Sequence, residues 1–138
     1  MKNIIHFIKT HPRNRLIIVK NDFVDVPYVD IGKSLSKRLR GELEEKSLPL
    51  ITSKVFDEIV DLNLKYSEDL RNYIAIKNIG ILMEKELKID LKSILEKHSR
   101  GTTLIVNWDG EIEDRSLYFL SKEKGVEINL KDISHLTL

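Results

Sequence analysis

Three consecutive residues, Gly32, Lys33 and Ser34, have the types that bind phosphate at the end of a P-loop. In that motif the lysine reaches the phosphates, the hydroxyl binds magnesium, and a glycine-rich loop wraps the phosphates with backbone N–H groups. The full motif has another glycine five residues before Gly32, where this sequence has Pro27, which offers no N–H. The intervening residues 28–31 are typical of a strand rather than of a loop. We therefore interpret the match as a coincidence.

A nucleotide-hydrolysing site also needs an acidic residue at the end of a buried strand, where it holds magnesium. The strand predicted over Tyr73–Ile76 is followed by Lys77 and Asn78 instead, and a lysine repels the metal ion. Because the missing glycine and the missing carboxylate are independent, they argue together against nucleotide hydrolysis. We expect no cofactor, no measurable ATP binding and no enzymatic activity.

Carboxylates are concentrated just after the apolar run 103–106, at Asp109, Glu111, Glu113 and Asp114. Such side chains suit magnesium, but a site needs them to converge. Alternate residues share a face only in a strand, and Gly110 indicates a turn, so we expect a solvated loop. A hydrolase or metal-dependent nuclease built on Asp30, Asp109 and Glu111 is the last-ranked of three hypotheses.

Histidine and cysteine offer no further site. The sequence has no cysteine, and the spacing typical of metal motifs is missing among its four histidines, which are His6, His11, His98 and His135. We interpret His98, on the apolar face of a predicted helix and near its end, as a packing or capping residue rather than as a base.

Two groups of basic residues could contact nucleic acid. One lies on a predicted helix and comprises Lys33, Lys37, Arg38 and Arg40; the other surrounds the first predicted strand and comprises His11, Arg13, Arg15 and Lys20. Lys33, Lys37 and Arg40 recur at i, i+4 and i+7, so they share a helix face that could neutralise phosphates. Because the net charge is only +1 and residues 42–45 are acidic, we favour a solvated surface. Nucleic-acid binding by this helix is the alternative.

Trp108, the only tryptophan, stands between Asn107 and Asp109 at the end of an apolar run. It is either a plug in the core or an anchor for a partner protein, since tryptophans often dominate interfaces. The sequence leaves both interpretations open. Asn107, Trp108 and Asp109 are therefore candidate partner-binding residues.

The composition is that of an ordinary globular protein. Hydrophobic residues make up 41% of the 138 and charged residues 33%, which fits one domain over residues 1–138. The first residues do not read as a signal peptide, and no apolar stretch approaches the ~20 residues that cross a bilayer. We expect a soluble, cytoplasmic protein without membrane association.

The hydrophobic pattern predicts alternating strands and helices. Continuous apolar runs predict strands buried on both faces at Leu16–Val19, Tyr73–Ile76 and Thr103–Val106. Helices are predicted over Lys2–Thr10, from Gly32 through Leu35, Leu39 and Leu43, from Thr52 or Ser53 onward, and around Leu91–His98 with Gly101 as the stop. Further extended segments are predicted at Val24–Ile31, Ser116–Leu120 and Val126–Leu130.

Buried strands that alternate with helices predict an α/β fold, with a mostly parallel central sheet and helices on both faces. We expect the last two strands to extend one edge of that sheet as an antiparallel hairpin. Ligands bind such sheets beyond the carboxyl ends of the strands, which singles out residues 20–22, 77–78 and 107–109.

Four segments resemble the small P-loop proteins of BREX-type phage-defence islands, namely Tyr28–Leu39, Tyr73–Leu82, Ile89–Leu95 and Thr103–Gly110. The resemblance covers most of the chain from about Arg15 onward and implies a P-loop/AAA-like three-layer sandwich. Its members are expected to have a Walker A loop after the first strand and an Asp-Asn pair at the end of the middle strand. This chain has Lys20-Asn21-Asp22 and Lys77-Asn78 at those places. Asn107 stands where related ATPases place a polar residue that senses the γ-phosphate.

The resemblance thus implies a degenerate member without Walker A and Walker B, serving as an accessory or adaptor subunit of an antiviral system. Its expected partners are other protein subunits of a defence complex. DNA and a second copy of the chain stay open as further partners.

Overall fold

The structure is a computed structural model, and it describes residues 2–20, 25–39, 48–83, 89–119 and 126–138. Four α-helices are found there: α1 (Lys2–Lys9), α2 (Ile31–Leu39), α3 (Leu48–Asn63) and α4 (Leu91–Ser99). The strands are β1 (Arg15–Val19), β2 (Val29–Asp30), β3 (Lys65–Ser67), β4 (Arg71–Lys77), β5 (Thr103–Asn107), β6 (Glu111–Glu113), β7 (Ser116–Tyr118), β8 (Glu127–Asn129) and β9 (His135–Thr137). A 3-10 helix covers Ile79–Met83.

The central sheet has the strand order β2-β4-β5-β1-β9, and all four pairings along that path are parallel. The short strand β3 adds an antiparallel pairing to the first half of β4, on the same edge as β2. The expected α/β fold with a mostly parallel sheet is confirmed.

Apolar side chains cover both faces of the sheet because the central residues of its inner strands are β-branched or otherwise apolar, namely Leu16–Val19, Ile74–Ile76 and Thr103–Val106. In β1, Leu16 and Ile18 point to a core shared with α2, α3 and α4. Ile17 and Val19 point to the opposite face, where α1 packs through Ile4 and Ile8. Because successive side chains alternate between two covered faces, the apolar residues of the buried strands are consecutive and do not occur only at every second position. Helices therefore lie on both faces, three on one and one on the other.

Helix α4 shows how local sequence sets the boundaries. It begins after Asp90, whose side chain accepts a hydrogen bond from the backbone N–H of Ser93. It ends before Gly101, which has a φ of +70° and thus adopts the left-handed conformation that favours glycine after a helix. The predicted stop at Gly101 is confirmed.

The expected edge hairpin is wrong in its position. The strands β7 and β8 do pair in antiparallel fashion, but with β6 they form a separate three-stranded sheet, in the order β6-β7-β8. Leu117 and Ile128 turn their side chains into the core that α2, α3 and α4 cover. The turn between the two strands lies outside the described residues.

Two segment boundaries also differ from the prediction. Of the extended segment expected over Val24–Ile31, Val24 lies outside the described residues, and residues 25–31 form a strand only at Val29–Asp30, because Ile31 already belongs to α2. Helix α3 begins at Leu48 rather than at Thr52 or Ser53, since proline at position 49 is tolerated in a first helical turn. Among the described residues, no helix has both the length and the apolar character needed to cross a membrane.

Candidate functional site

The carboxyl ends of β2, β4 and β5 meet at one edge of the sheet, because these strands are parallel neighbours. Asp30, Asn78 and Asn107 therefore lie at this edge, where the sequence predicts Asn78 and Asn107 but not Asp30. A crevice of about 190 Å³ lies here, lined among others by Asn78, Asn107 and Asp109. We call this region the carboxyl edge. It is where α/β proteins bind their ligands.

The start of α2 is closed by Asn78. A Cβ atom on Gly32 would lie 2.4 Å from the Asn78 Nδ2 and 3.0 Å from its backbone oxygen. Asn78 itself has a φ of +56°, a conformation that asparagine tolerates better than most residues. Glycine at position 32 is thus required by the close approach of Asn78. A role in phosphate binding is not needed to explain it.

Asp30 places a carboxylate at the start of α2. Its Oδ1 accepts hydrogen bonds from the backbone N–H of Lys33 and from the Asn78 Nδ2, both at 2.9 Å. The bond from the Lys33 backbone, and then that from Asn78, lower the pKa of Asp30 below its ordinary value near 3.8. The carboxylate is therefore charged at neutral pH and satisfies N–H groups that would otherwise attract an anion.

A P-loop also needs a helix directly after the first strand. After β1, the described residues 25–28 have no regular helix, and the chain enters β2. Lys20 is exposed at the end of β1, while Asn21 and Asp22 lie outside the described residues. Gly32-Lys33-Ser34 follows a strand, but the helix begins one residue before Gly32 and leaves no loop between them.

Trp108 is buried, with 3% of its surface exposed, and it belongs to the main core. Its backbone N–H donates to the Val19 oxygen at 2.9 Å, and its Nε1 donates to the Glu111 oxygen at 3.2 Å. Asn107 is 8% exposed, so of the three candidate partner-binding residues only Asp109 is exposed. Of the two interpretations of Trp108, burial supports the plug in the core.

One member of the basic group on α2 is neutralised. Lys33 and Lys37 are exposed four residues apart, whereas Arg38 forms an ion pair with Glu58 of α3 at 2.5 Å. Such a pair, with both side chains 43% exposed, contributes at most about 1 kcal/mol to stability. Arg40 and Leu43 lie outside the described residues.

The acidic segment differs from the expected loop. Glu111 and Glu113 belong to β6, and the structure exposes both. The two-residue turn at Asp114 and Arg115, both with positive φ, closes the hairpin with β7 and makes this stretch a strand. Among the described residues, no three His, Cys, Asp or Glu side chains converge as metal ligands do. Asp30 instead caps the N-terminus of α2.

His98 packs as the sequence predicts, edge-on to Phe56 with ring centroids 5.1 Å apart. The sequence did not reveal its polar partner: the His98 Nε2 lies 2.8 Å from the Asp57 Oδ1, and the Lys97 Nζ lies 3.0 Å from the Asp57 Oδ2. Burial lowers the pKa of His98 below 6.5, and the Asp57 bond offsets only part of that. Burial acts to raise the pKa of Asp57, but the bonds from Lys97 and His98 outweigh it and hold that pKa down. This cluster ties α3 to α4.

Comparison with known proteins gives no relatives: no protein-family model, no curated protein and no solved structure matches the chain.

Proposed function

We propose that this chain is a non-catalytic accessory or adaptor subunit of a prokaryotic antiviral defence system, built on a degenerate P-loop-type fold that does not hydrolyse nucleotide. The observation that carries the proposal is the closed start of α2, where the Asn78 side chain donates a hydrogen bond to Asp30 and packs against Gly32.

Electrostatics support this view of the helix start. The Asp30 carboxylate already accepts the backbone N–H of Lys33. A phosphate that approached to ~4 Å would be repelled by about 4 kcal/mol per unit charge at an effective dielectric constant of ~20. Lys33 offsets part of this repulsion. A phosphate at this place would still lack the loop of backbone N–H groups that binds phosphate together with the lysine in a P-loop.

Exposed apolar side chains support a role in binding proteins. Leu62, Leu64 and Tyr66 follow one another at alternate positions where α3 leads into β3, and they are 80%, 40% and 70% exposed. Strand β3 pairs only with β4 among the described strands, so it lies at the edge of the sheet. Contiguous exposed apolar groups on a soluble domain often mark a protein-binding surface.

Affinity purification of the tagged chain from its host tests the proposal. The expected result is co-purification of a large ATPase, a methyltransferase or a phosphatase-like protein encoded beside this chain, and its loss in the double variant Leu62→Ser, Tyr66→Ser. Leu50→Ser is a matched control, because Leu50 is 73% exposed at the other end of α3. The proposal would be contradicted if no product of a neighbouring gene co-purified. It would also be contradicted if the double variant and the Leu50→Ser control retained the partner equally.

Nucleic-acid binding by α2 is the second candidate, and the exposure of Lys33 and Lys37 on one helix face favours it. Such binding should weaken steeply with salt and fall when Lys37 and Arg40 are both replaced by Glu. The ion pair of Arg38 with Glu58 reduces the charge that α2 as a whole offers. A salt-independent signal, or an unchanged signal in the Lys37→Glu, Arg40→Glu variant, would exclude this candidate.

A further inference from the structure

A second cavity, of about 380 Å³, lies at the end of the sheet opposite to the carboxyl edge. His135, which lines it, pairs with Leu16 near the start of β1, so the cavity adjoins the amino ends of the parallel strands. Phe7 of α1, Arg115 of the β6–β7 turn and Lys131 before β9 also line it. We call it the basic cavity. Its volume is twice that of the crevice at the carboxyl edge and falls in the range of small-molecule sites.

The lining is positively charged. Arg115 and Lys131 are exposed, and in the described part of the chain neither forms an ion pair. The one carboxylate of the lining, Asp132, lies 3.4 Å from the Lys92 Nζ, which offsets its charge. Two cations thus face the same space without a counterion in this part of the chain.

Arg115 reaches the cavity through a strained turn. Its φ is +65° and that of Asp114 is +49°, as both central residues of a two-residue hairpin turn require. Glycine is the usual residue there, and another L-residue costs about 1 to 2 kcal/mol in the left-handed conformation. The Arg115 oxygen accepts the backbone N–H of Leu130 at 2.8 Å, which fixes the turn beside Lys131. The chain thus holds an arginine at a backbone conformation that favours glycine.

Hydrogen bonds fasten one segment of the cavity lining to its neighbours. The Ser134 hydroxyl accepts from the Asn14 N–H at 2.7 Å and donates to the Asn14 oxygen at 2.8 Å. The buried Asn14 side chain also donates to the Glu96 oxygen and to the Ser99 hydroxyl of α4. These bonds hold the segment that carries Lys131 and His135 against β1 and α4.

The tautomer of His135 follows from its neighbour. Its Nδ1 lies 2.7 Å from the Ile133 oxygen, and because a carbonyl oxygen only accepts, Nδ1 carries a proton. The Nε2 is then the ring nitrogen that remains for a ligand. A phosphate hydroxyl can donate to it, and a protonated imidazole can donate to a phosphate oxygen.

We propose that the basic cavity binds a small phosphate monoester with an aromatic body. Arg115 and Lys131 bind the phosphate through charge-assisted hydrogen bonds, and the half-buried ring of Phe7 packs against the aromatic part. The proposal is independent of the function proposed above, because the two regions lie at opposite ends of the sheet.

Isothermal titration with phenyl phosphate and with inorganic phosphate tests this proposal on the full chain. We expect phenyl phosphate to bind more tightly than inorganic phosphate, and Phe7→Leu to reduce that difference. Arg115→Gly should weaken the binding of phenyl phosphate about tenfold or more, as the loss of a charged hydrogen bond does. The same variant should unfold at the same or a higher temperature, because glycine relieves the strained φ.

Three controls complete the test. Lys131→Ala should weaken binding as Arg115→Gly does, and Arg115→Lys should restore part of it. Lys65→Ala removes an exposed cation from β3, at the far edge of the sheet, and should leave binding unchanged. Absence of phenyl phosphate binding, or equal binding by the wild type and Arg115→Gly, would overturn the proposal. Binding that is lost in Lys33→Ala but kept in Arg115→Gly would overturn it as well and would also contradict the closed carboxyl edge.

Discussion

Asn78 packs over Gly32 so closely that its side-chain nitrogen lies where a methyl group on Gly32 would need room, 2.4 Å from the Cβ position. The same amide donates to Asp30, which caps α2, although the two residues are 48 positions apart in sequence. The end of β4 is thereby fastened to the end of β2 and to the start of α2. The Asn78 side chain thus packs against the first turn of α2.

Gly32→Ala should destabilise the fold by about 1 to 3 kcal/mol, the usual effect of overpacking. The added methyl group meets both the side chain and the backbone oxygen of Asn78. Urea unfolding measures the change, and Ser34→Ala on the same helical turn is the control, expected within ~0.5 kcal/mol of the wild type.

A double variant separates this contact from helix propensity. Asn78→Gly removes the side chain and suits the positive φ at position 78. The cost of Gly32→Ala should therefore be smaller in the Asn78→Gly background than in the wild type. Additive costs would show that the two residues do not interact as the structure has them.

Asp30→Ala should lower the free energy of unfolding by about 1 kcal/mol at pH 7, because α2 loses its N-terminal cap. The folded state holds the pKa of Asp30 below 3.8, so the stabilising charge is present above that pH and is lost as the pH falls through the lower folded value. Urea unfolding at pH 7 and below pH 3.8 checks this. The difference between the wild type and the variant should shrink in acid, and a constant difference would contradict the assignment.

Much of the fold follows from the sequence because its signals are local. The runs at Leu16–Val19 and Thr103–Val106 are apolar on both faces of a strand, and Gly101 marks the end of α4 by its own conformation. The Asp30–Asn78 bond could not be found in this way, since no local pattern indicates which strand ends become neighbours. The separate sheet was missed because of a conflict between two local signals. The alternation of Glu111, Ile112 and Glu113 indicates a strand, but the neighbouring Gly110 favoured a turn.

Gly110 has a packing role that only the structure reveals. A Cβ there would lie 2.0 Å from the Tyr118 oxygen and 2.9 Å from the Trp108 Nε1. Gly110 thus lets β7 pass close to the indole of Trp108. The sequence alone left open whether this indole is buried or contacts a partner, and the tertiary contact supports burial.

The fluorescence of Trp108 should report a buried indole. As the only tryptophan, with 3% of its surface exposed, it should emit at short wavelength and be poorly quenched by acrylamide until the chain unfolds. Trp108→Ala should cost about 3 to 5 kcal/mol. Long-wavelength emission and efficient quenching in the native protein would mean that the indole is available to a partner after all.

The stability of the protein should fall as the pH is lowered from 8 to 5.5, in part through His98. Burial keeps the folded pKa of His98 below 6.5, so the unfolded chain binds the proton more readily. Acid therefore stabilises the unfolded state relative to the folded state. The facing groups are Phe56, Asp57, Lys97 and Asp61. Asp57, whose pKa is also lowered, titrates below this window.

His98→Gln isolates this contribution, because glutamine can still donate to Asp57 but does not titrate. Urea unfolding of both proteins at pH 8 and 5.5 should show a flatter pH dependence in the variant. Identical slopes would show that His98 titrates as an exposed histidine does.

The closed start of α2 is tested most directly by titrating the wild type and Lys33→Ala with ATP, with and without magnesium. We expect no magnesium-dependent ATP binding and no hydrolysis by either protein, because Asp30 and Asn78 occupy the helix start. Micromolar, magnesium-dependent affinity in the wild type that Lys33→Ala abolishes would place a triphosphate at Gly32–Ser34. That result would contradict the proposal of a non-hydrolysing subunit.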